Sequence, residues 1–577
     1  MPGSMTQNVP DASQGSPDRF GYEWAKTRTL LELMAAVGIA YFIASFTIAL
    51  SFQTGRLALP SGYDDVVYLI AGQQWLNEIP TRGFLGDVGA ILHQHAPLQT
   101  LMAALSFVLL GPQDWAPYAA NGVLLGLTLI AIFWYLRREG TSLILAILLV
   151  LCLVDVPFFQ HSVTEFRPDL FAGIVVGFSI LLVVSEPAFL MTRKRQLYLG
   201  LLFGLALLAK PSAFLAAGFF IATAILFSYG GFLWERKLSL KQQLVPILRS
   251  FGSFALGAVA VFGPYLIAEG AAIFSYMYLA LFTMADINAY PGTQVQQFSF
   301  YVTGPAGKLA LGFWFWLGVG TMLLRLGVTY AVAPARLPTL YASYASLLVM
   351  LVVLALTAAK SYFLGSMFYA TFSLLMVRDL AFLAETKKFA VGRFQVPAAF
   401  AVLAVLIGIQ KAFLPHKPLA TSWTDRNYHA MVSDSTHYAW QIVWNKAHPA
   451  GAAPVPVNIL INNAEPVRTA AIMLDATRRK FSVTLHDGVN ARTTEDFMAL
   501  VDKADLVIVT ASMDYPYPGA KHGNELQALM AKDKRFRKSG MLMEDFVQFY
   551  EPVGASSATS PWVSGADRQD TKSGRVD

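Results

Sequence analysis

The chain has 577 residues, of which 55% are hydrophobic and only 14% charged, with a mean hydropathy of +0.49. A soluble domain carries roughly 25% charged residues, so an ordinary cytosolic enzyme and a disordered chain are both excluded. The net charge of +6 comes from cations clustered between long apolar runs, which marks membrane topology rather than a nucleic-acid-binding face.

Residues Met1–Lys26 are polar and no cleavable signal peptide is expected; Met1–Ser4, ahead of Met5, read as a cloning remnant. A membrane span needs about 20 apolar residues. Candidate spans are 30–52, 115–136, 141–160, 170–190, 197–209, 212–229, 248–268, 306–324, 339–358, 363–383 and 396–414. The cations Lys26 and Arg28, Arg137–Arg138, Arg193–Arg195, Arg236–Lys237, Arg325 and Arg336, and Lys387–Lys388 with Arg393 alternate along these runs. Placing all of them on the cytoplasmic side gives about eleven spans, with the N-terminus inside and the C-terminus outside. That solution requires residues 96–111 to form a juxtamembrane or re-entrant helix on the outer face. Cys152, the single cysteine, lies inside an apolar run, so no disulfide framework or cysteine metal site can form within one chain.

The expected organisation is a polytopic α-helical membrane protein with a C-terminal soluble α/β domain. Residues 1–28 form a cytoplasmic tail, and 29–414 a membrane domain with outer loops 53–114 and 270–304. Residues 415–553 form a periplasmic domain and 554–577 a disordered tail. Within 456–551, apolar runs at Val457–Ile461, Phe481–Leu485, Leu506–Thr510 and 540–550 alternate with helical patterns, which suggests a mainly parallel sheet. The loop Asn462-Asn463-Ala464-Glu465-Pro466 lacks the glycines of a dinucleotide site. Trp423, Tyr428, Tyr438, Trp440 and Trp444 suit either sugar stacking or a helix docked at the membrane interface.

Ionisable groups at membrane depth are costly and therefore point to function. Five clusters fall on the outer side. Asp64-Asp65, in Ser61-Gly62-Tyr63-Asp64-Asp65-Val66-Val67-Tyr68, either cap a helix or need a partner, since adjacent carboxylates repel. His93 and His95 share a face if extended, although two histidines alone are a weak metal signal. In Thr164-Glu165-Phe166-Arg167-Pro168-Asp169, a buried Arg167–Asp169 pair at the bend is the plain alternative to a functional role. Lys210 either snorkels or meets an anion. Lys360-Ser361-Tyr362 lies between two apolar runs. The segment bearing Tyr276, Tyr278, Asp286, Asn288 and Tyr290 suits sugar hydroxyls and ring faces.

At these residues the sequence resembles the GT-C superfamily of polyprenyl-phosphate-sugar glycosyltransferases, in its protein O-mannosyltransferase and lipid A aminoarabinose transferase branch. The branch's acidic pair with a following tyrosine is matched by Asp64-Asp65-Val66-Val67-Tyr68. His95-Ala96-Pro97-Leu98 is similar to its His-Pro-Pro-Leu element, and Arg167-Pro168-Asp169-Leu170 to its aspartate after the third span. Gly204–Pro211 is similar to its Gly-Leu-x-x-Leu-x-Lys-Gly-Pro element, and Lys360-Ser361-Tyr362 to its late Lys-x-Tyr. Asp65 stands where glutamate is usual, and Ala96 replaces the first proline.

The resemblance covers about residues 30–415 and implies an inner-membrane enzyme. Its donor would be a polyprenyl-phosphate-linked sugar. Its acceptor would be an envelope glycan, a glycolipid such as lipid A or its core, or a protein. It implies Asp64 as general base, with Asp65 and Asp169 orienting the acceptor, the sugar or a cation. Arg167, Lys210, Lys360 and Tyr362 would hold the donor phosphate. Tyr68, His93, His95, Tyr276, Asp286 and Tyr290 would bind substrate. No cofactor is required by these residues; a divalent cation at Asp64 and His95 stays open. The rival readings are a lipid or sugar flippase, a secondary transporter, and a whole-glycan ligase of the other GT-C subclass. No inverted repeat supports a transporter.

Overall fold

A computed structural model describes residues 19–54, 56–185, 192–237, 240–279, 289–290, 292–357, 359–386, 426–449, 452–513, 518–542 and 545–554. The run 396–414, Asp286, Asn288 and both terminal tails lie outside these described residues.

The apolar runs form helices α1 (Arg19–Thr54), α2 (Tyr63–Leu92), α3 (Pro97–Leu110), α4 (Ala116–Arg138), α5 (Leu143–Asp155), α6 (Pro157–Thr164), α7 (Pro168–Ser185) and α8 (Arg193–Ala209). They continue as α9 (Phe214–Arg236), α10 (Leu240–Tyr278), α11 (Gln294–Ser299), α12 (Pro305–Ala310), α13 (Phe313–Val332), α14 (Leu337–Leu356) and α15 (Ser366–Glu385). Among the described residues, eight helices are long and apolar enough to cross a membrane. The count of eleven differs in identifiable places. The run 141–160 is cut at Val156–Pro157 into α5, of 13 residues, and α6, of eight, because a proline inside a helix removes a backbone donor. The run 197–209 becomes the 17-residue α8, which opens on three cations, and 396–414 lies outside the described residues; 306–324 shifts to α13, which remains long and apolar enough to span. Residues 97–110 form the 14-residue α3, packed between α2 and α4.

α7 and α15 are the most enclosed helices, in one apolar core shared with α4, α5, α8, α9 and α10. α8 and α10 approach most closely, through facing glycines. A Cβ at Gly200 would collide with the Phe254 carbonyl, and one at Gly257 with that of Leu197. Small residues let membrane helices pack backbone to backbone. Gly200→Ala is therefore expected to cost about 1–3 kcal/mol of overpacking, read as a lowered unfolding midpoint in detergent. α2 breaks at Gly83, whose φ of 70° is left-handed, three residues beyond Pro80.

The C-terminal domain opens with α16 (Arg426–Ala447). It continues as β1 (Val457–Ile461), α17 (Thr469–Arg478), β2 (Val483–Asp487), α18 (Thr494–Val501), β3 (Leu506–Thr510), α19 (Gly523–Lys532), β4 (Phe536–Leu542) and β5 (Val547–Pro552). The sheet order is β2-β1-β3-β5-β4. β2, β1 and β3 are parallel, whereas β5 and β4 are antiparallel. The mainly parallel expectation thus holds for one half of the sheet. The run 540–550 divides between β4 and β5, and so short a connection admits only a hairpin, since a parallel crossover needs a dozen or more residues. α17 docks on α2, burying Leu474 with Val66, Leu69, Ala103 and Phe107.

Candidate active site

Asp64 and Asp65 sit in the first turn of α2. The N-cap is Gly62, with no side-chain cap bond, so neither carboxylate caps the helix; both sit where its dipole favours negative charge. Successive helical residues point about 100° apart, and the two acids separate completely. The Asp65 side chain is 0% exposed and that of Asp64 is 71% exposed.

Their partners come from the extended stretch between α6 and α7. Pro168 opens α7 and keeps the residue before it out of helical geometry. The Phe166 N–H is thereby free to donate to Asp65 Oδ2 at 2.9 Å, and Tyr118 Oη, from the first turn of α4, donates to the same oxygen at 3.0 Å. The Arg167 guanidinium lies 2.9 Å from Asp64 Oδ2 and 3.4 Å from Asp65 Oδ1, over the Phe363 ring at 3.7 Å. Arg167 thus joins the two aspartates rather than pairing with Asp169. Asp169 instead forms an ion pair with Lys210, at the C-terminal end of α8. The buried Glu165 approaches Arg167, with Oε2 at 4.0 Å from Nε.

The histidines face a neighbouring cavity of about 190 Å³, lined by His93, His95, Ser212, Tyr265, Glu269 and Tyr276 among others. His93 Nδ1 lies 2.6 Å from Glu269 Oε1, and the His95 ring meets Tyr276 edge-on at 5.1 Å. Tyr265 Oη donates to the backbone carbonyls of Gln94 and His95 at 3.1 and 3.2 Å. Desolvation, then the nearby charge of Lys210, lowers the His95 pKa, so this imidazole is neutral at pH 7. Burial, then Asp64, pushes the Tyr68 hydroxyl up, which keeps it a neutral donor. The volume falls below the roughly 300 Å³ of drug-sized pockets and suits one small polar group.

Lys360 turns to the backbone, while the Tyr362 ring meets Phe363, the ring beneath Arg167, edge-on at 5.3 Å. The Lys360 ammonium donates to the carbonyls of Leu354, Ala355 and Thr357 at 2.9, 2.8 and 2.5 Å. It closes the C-terminal end of α14, where cations satisfy orphan carbonyls. Those three carbonyls occupy all three of its donors. Lys360→Met is therefore expected to cost about 1–3 kcal/mol, seen as a lowered unfolding midpoint with the donor KM unchanged. The Tyr362 ring meets His161 edge-on at 6.2 Å and Tyr369 at 5.7 Å. Tyr290 packs on Phe300 at 4.9 Å, and a bridge from Ala289 to Ala359 ties its segment to the stretch ahead of Lys360. Asp286 lies outside the described residues. Among the described residues no three metal-ligating side chains gather, and Asp64 is engaged by Arg167.

Sequence reasoning missed Tyr118, Glu165, Glu269 and the ring of Phe363. Glu165 had a signal, being an acid in the quoted bend; the others touch the site only through tertiary contact.

The clusters at the start of α2, the start of α7 and the end of α8 meet through Arg167 and the Asp169–Lys210 pair, with the start of α15 joined through Phe363 and the segment after α2 through Tyr265 of α10. Arg137–Arg138, Arg193–Arg195, Arg236 and Arg336 lie at the opposite helix ends. Among solved structures, the chain is similar to ArnT from Cupriavidus metallidurans bound to undecaprenyl phosphate, at 11% identity, 91% of this chain, 98% of that one and a TM-score of 0.49. The apo state of that protein matches with the same figures. The Archaeoglobus fulgidus oligosaccharyltransferase, in complex with zinc and sulfate, is similar at 13% identity, 82% of this chain, 67% of that one and a TM-score of 0.44. No protein-family model and no curated protein matches the chain.

Proposed function

We propose that the chain is a GT-C-type membrane glycosyltransferase. It moves a sugar from a polyprenyl-phosphate donor to a hydroxyl of an envelope glycan, glycolipid or protein. One observation carries the reading: an exposed carboxylate, Asp64, is held by Arg167 above the buried Asp65, beside the Asp169–Lys210 pair and a small polar cavity. The motifs expected of such an enzyme thus share one end of the bundle. Under the positive-inside rule, the cations at the other end support an outer-face site.

In this mechanism the acceptor oxygen attacks the anomeric carbon while the bond from that carbon to the phosphate oxygen breaks. The electron pair leaves with polyprenyl phosphate, and Asp64 takes the acceptor proton. Arg167 and Lys210 supply positive charge where the phosphate departs. A single displacement inverts the anomeric centre. His95, neutral and beside Lys210, offers the sugar a hydrogen-bonding wall together with Tyr276.

The test compares envelope glycolipids and glycoproteins by mass spectrometry in cells with and without the gene. Loss of one sugar mass from an envelope acceptor supports the enzyme. The same loss with the lipid-linked sugar trapped on the inner leaflet would point to a flippase instead, and an unchanged envelope would contradict the reading.

A further inference from the structure

The C-terminal domain reaches the catalytic loop through a short relay. Arg478, at the C-terminal end of α17, places Nη1 2.6 Å from Asp114 Oδ1. The other oxygen of Asp114 accepts a short hydrogen bond from Ser61 Oγ. Ser61 and Gly62 directly precede the turn that carries Asp64 and Asp65. The same seam holds two further contacts. Asn77, more than three turns beyond the aspartates along α2, donates Nδ2 to the Thr477 carbonyl at 2.8 Å. The buried Arg468 lies so close to Gly62 that a Cβ there would meet its Cδ at 2.9 Å.

Resting on the reading of Asp64 as the base, we propose that Arg478 is a positioning residue for Asp64. Through Asp114 and Ser61 it fixes the loop from which α2 starts, so the C-terminal domain is part of the catalytic geometry. The direction of the effect follows from the exposure of Asp64. With 71% of its side chain open and Arg167 its ion-pair partner, its position depends largely on the backbone beneath. Displacement of a reacting group by about 1 Å can cost on the order of a hundredfold in rate, and loosening one anchor of the loop should cost on the order of tenfold.

The test uses the full-length protein in nanodiscs as Arg478→Gln, Arg478→Lys and Arg479→Gln variants. Arg479 is the internal control: its side chain is 53% exposed, lies over Trp440 and Trp444, and shares with Arg478 only the outer contact to Asp475, at 3.9 Å from each. Hydrogen exchange over residues 57–66 is expected to quicken in R478Q alone, with kcat falling about tenfold, the donor KM unchanged, and R478K recovering most of the rate. Asp114→Asn cuts the same relay from the other side and serves if R478Q does not fold. Unaltered exchange in this loop, or an equal loss in R479Q, would overturn the proposal. The exchange readout needs no turnover, so it stands even where the wild-type protein transfers no sugar.

Discussion

Asp64→Asn is expected to lower transfer on the order of a thousandfold, because a positioned general base contributes roughly 10²–10⁴ to rate. Its fold should survive. Asp64 is mostly exposed and forms an ion pair with Arg167, which is itself 12% exposed and keeps Asp65 as a second partner. Loss of the half-exposed pair is therefore expected to cost about 1 kcal/mol, so the unfolding midpoint should move little. Asparagine keeps the size of the side chain and its acceptor oxygen while removing the basic electron pair. Activity loss with intact stability is thus the signature of chemistry rather than architecture. The measurements are turnover in nanodiscs and thermal unfolding of the same preparation; a rate within a few-fold of wild type would remove Asp64 from the mechanism.

The neighbouring residue should behave in the opposite way. Asp65→Ala is expected to destabilise the protein by about 3–5 kcal/mol, the range for breaking a buried ion pair from one side. The substitution removes the buried acceptor of the Tyr118 hydroxyl and the Phe166 N–H and one of the carboxylates facing Arg167. Four elements meet at that carboxylate: α2, α4, the stretch before α7 and, through Phe363, the start of α15. The expected result is a large drop in the unfolding midpoint and in the folded fraction recovered on size exclusion. An Asp65→Ala protein as stable as wild type would show that the carboxylate does not anchor these elements. Together the two substitutions divide one dipeptide into a chemical residue and a structural one.

Much of the site was legible because charge is scarce in the apolar part of the chain. Asp64-Asp65, Arg167-Pro168-Asp169 and Lys210 stand out for that reason, and their alternation with the basic loops placed them at one end. Their partnerships were not legible. Phe166 lies 101 residues from Asp65 and Asn77 lies 400 from Thr477, distances that only tertiary packing closes. The plain alternative at this bend, an Arg167–Asp169 pair, follows from closeness in sequence, yet Arg167 meets Asp64 and Asp65 while Asp169 meets Lys210. The proline between them starts a helix and sends the side chains to different partners. Lys360 carried a motif, yet its ammonium lies within reach of the last carbonyls of α14 and closes that helix. The fold departed from expectation where a local rule met a length limit. Pro157 cut an apolar run, and the brief link after β4 forced a hairpin where strand–helix alternation suggested another parallel strand.

The central claim is that this site cleaves a sugar–phosphate bond. It is tested most directly by incubating the purified full-length protein with polyprenyl-phosphate sugars and envelope extracts, and measuring released polyprenyl phosphate. The account predicts acceptor-dependent release by the wild-type protein and none above background by D64N. Donor left intact by the wild-type protein across the panel, or equal release by D64N, would contradict it.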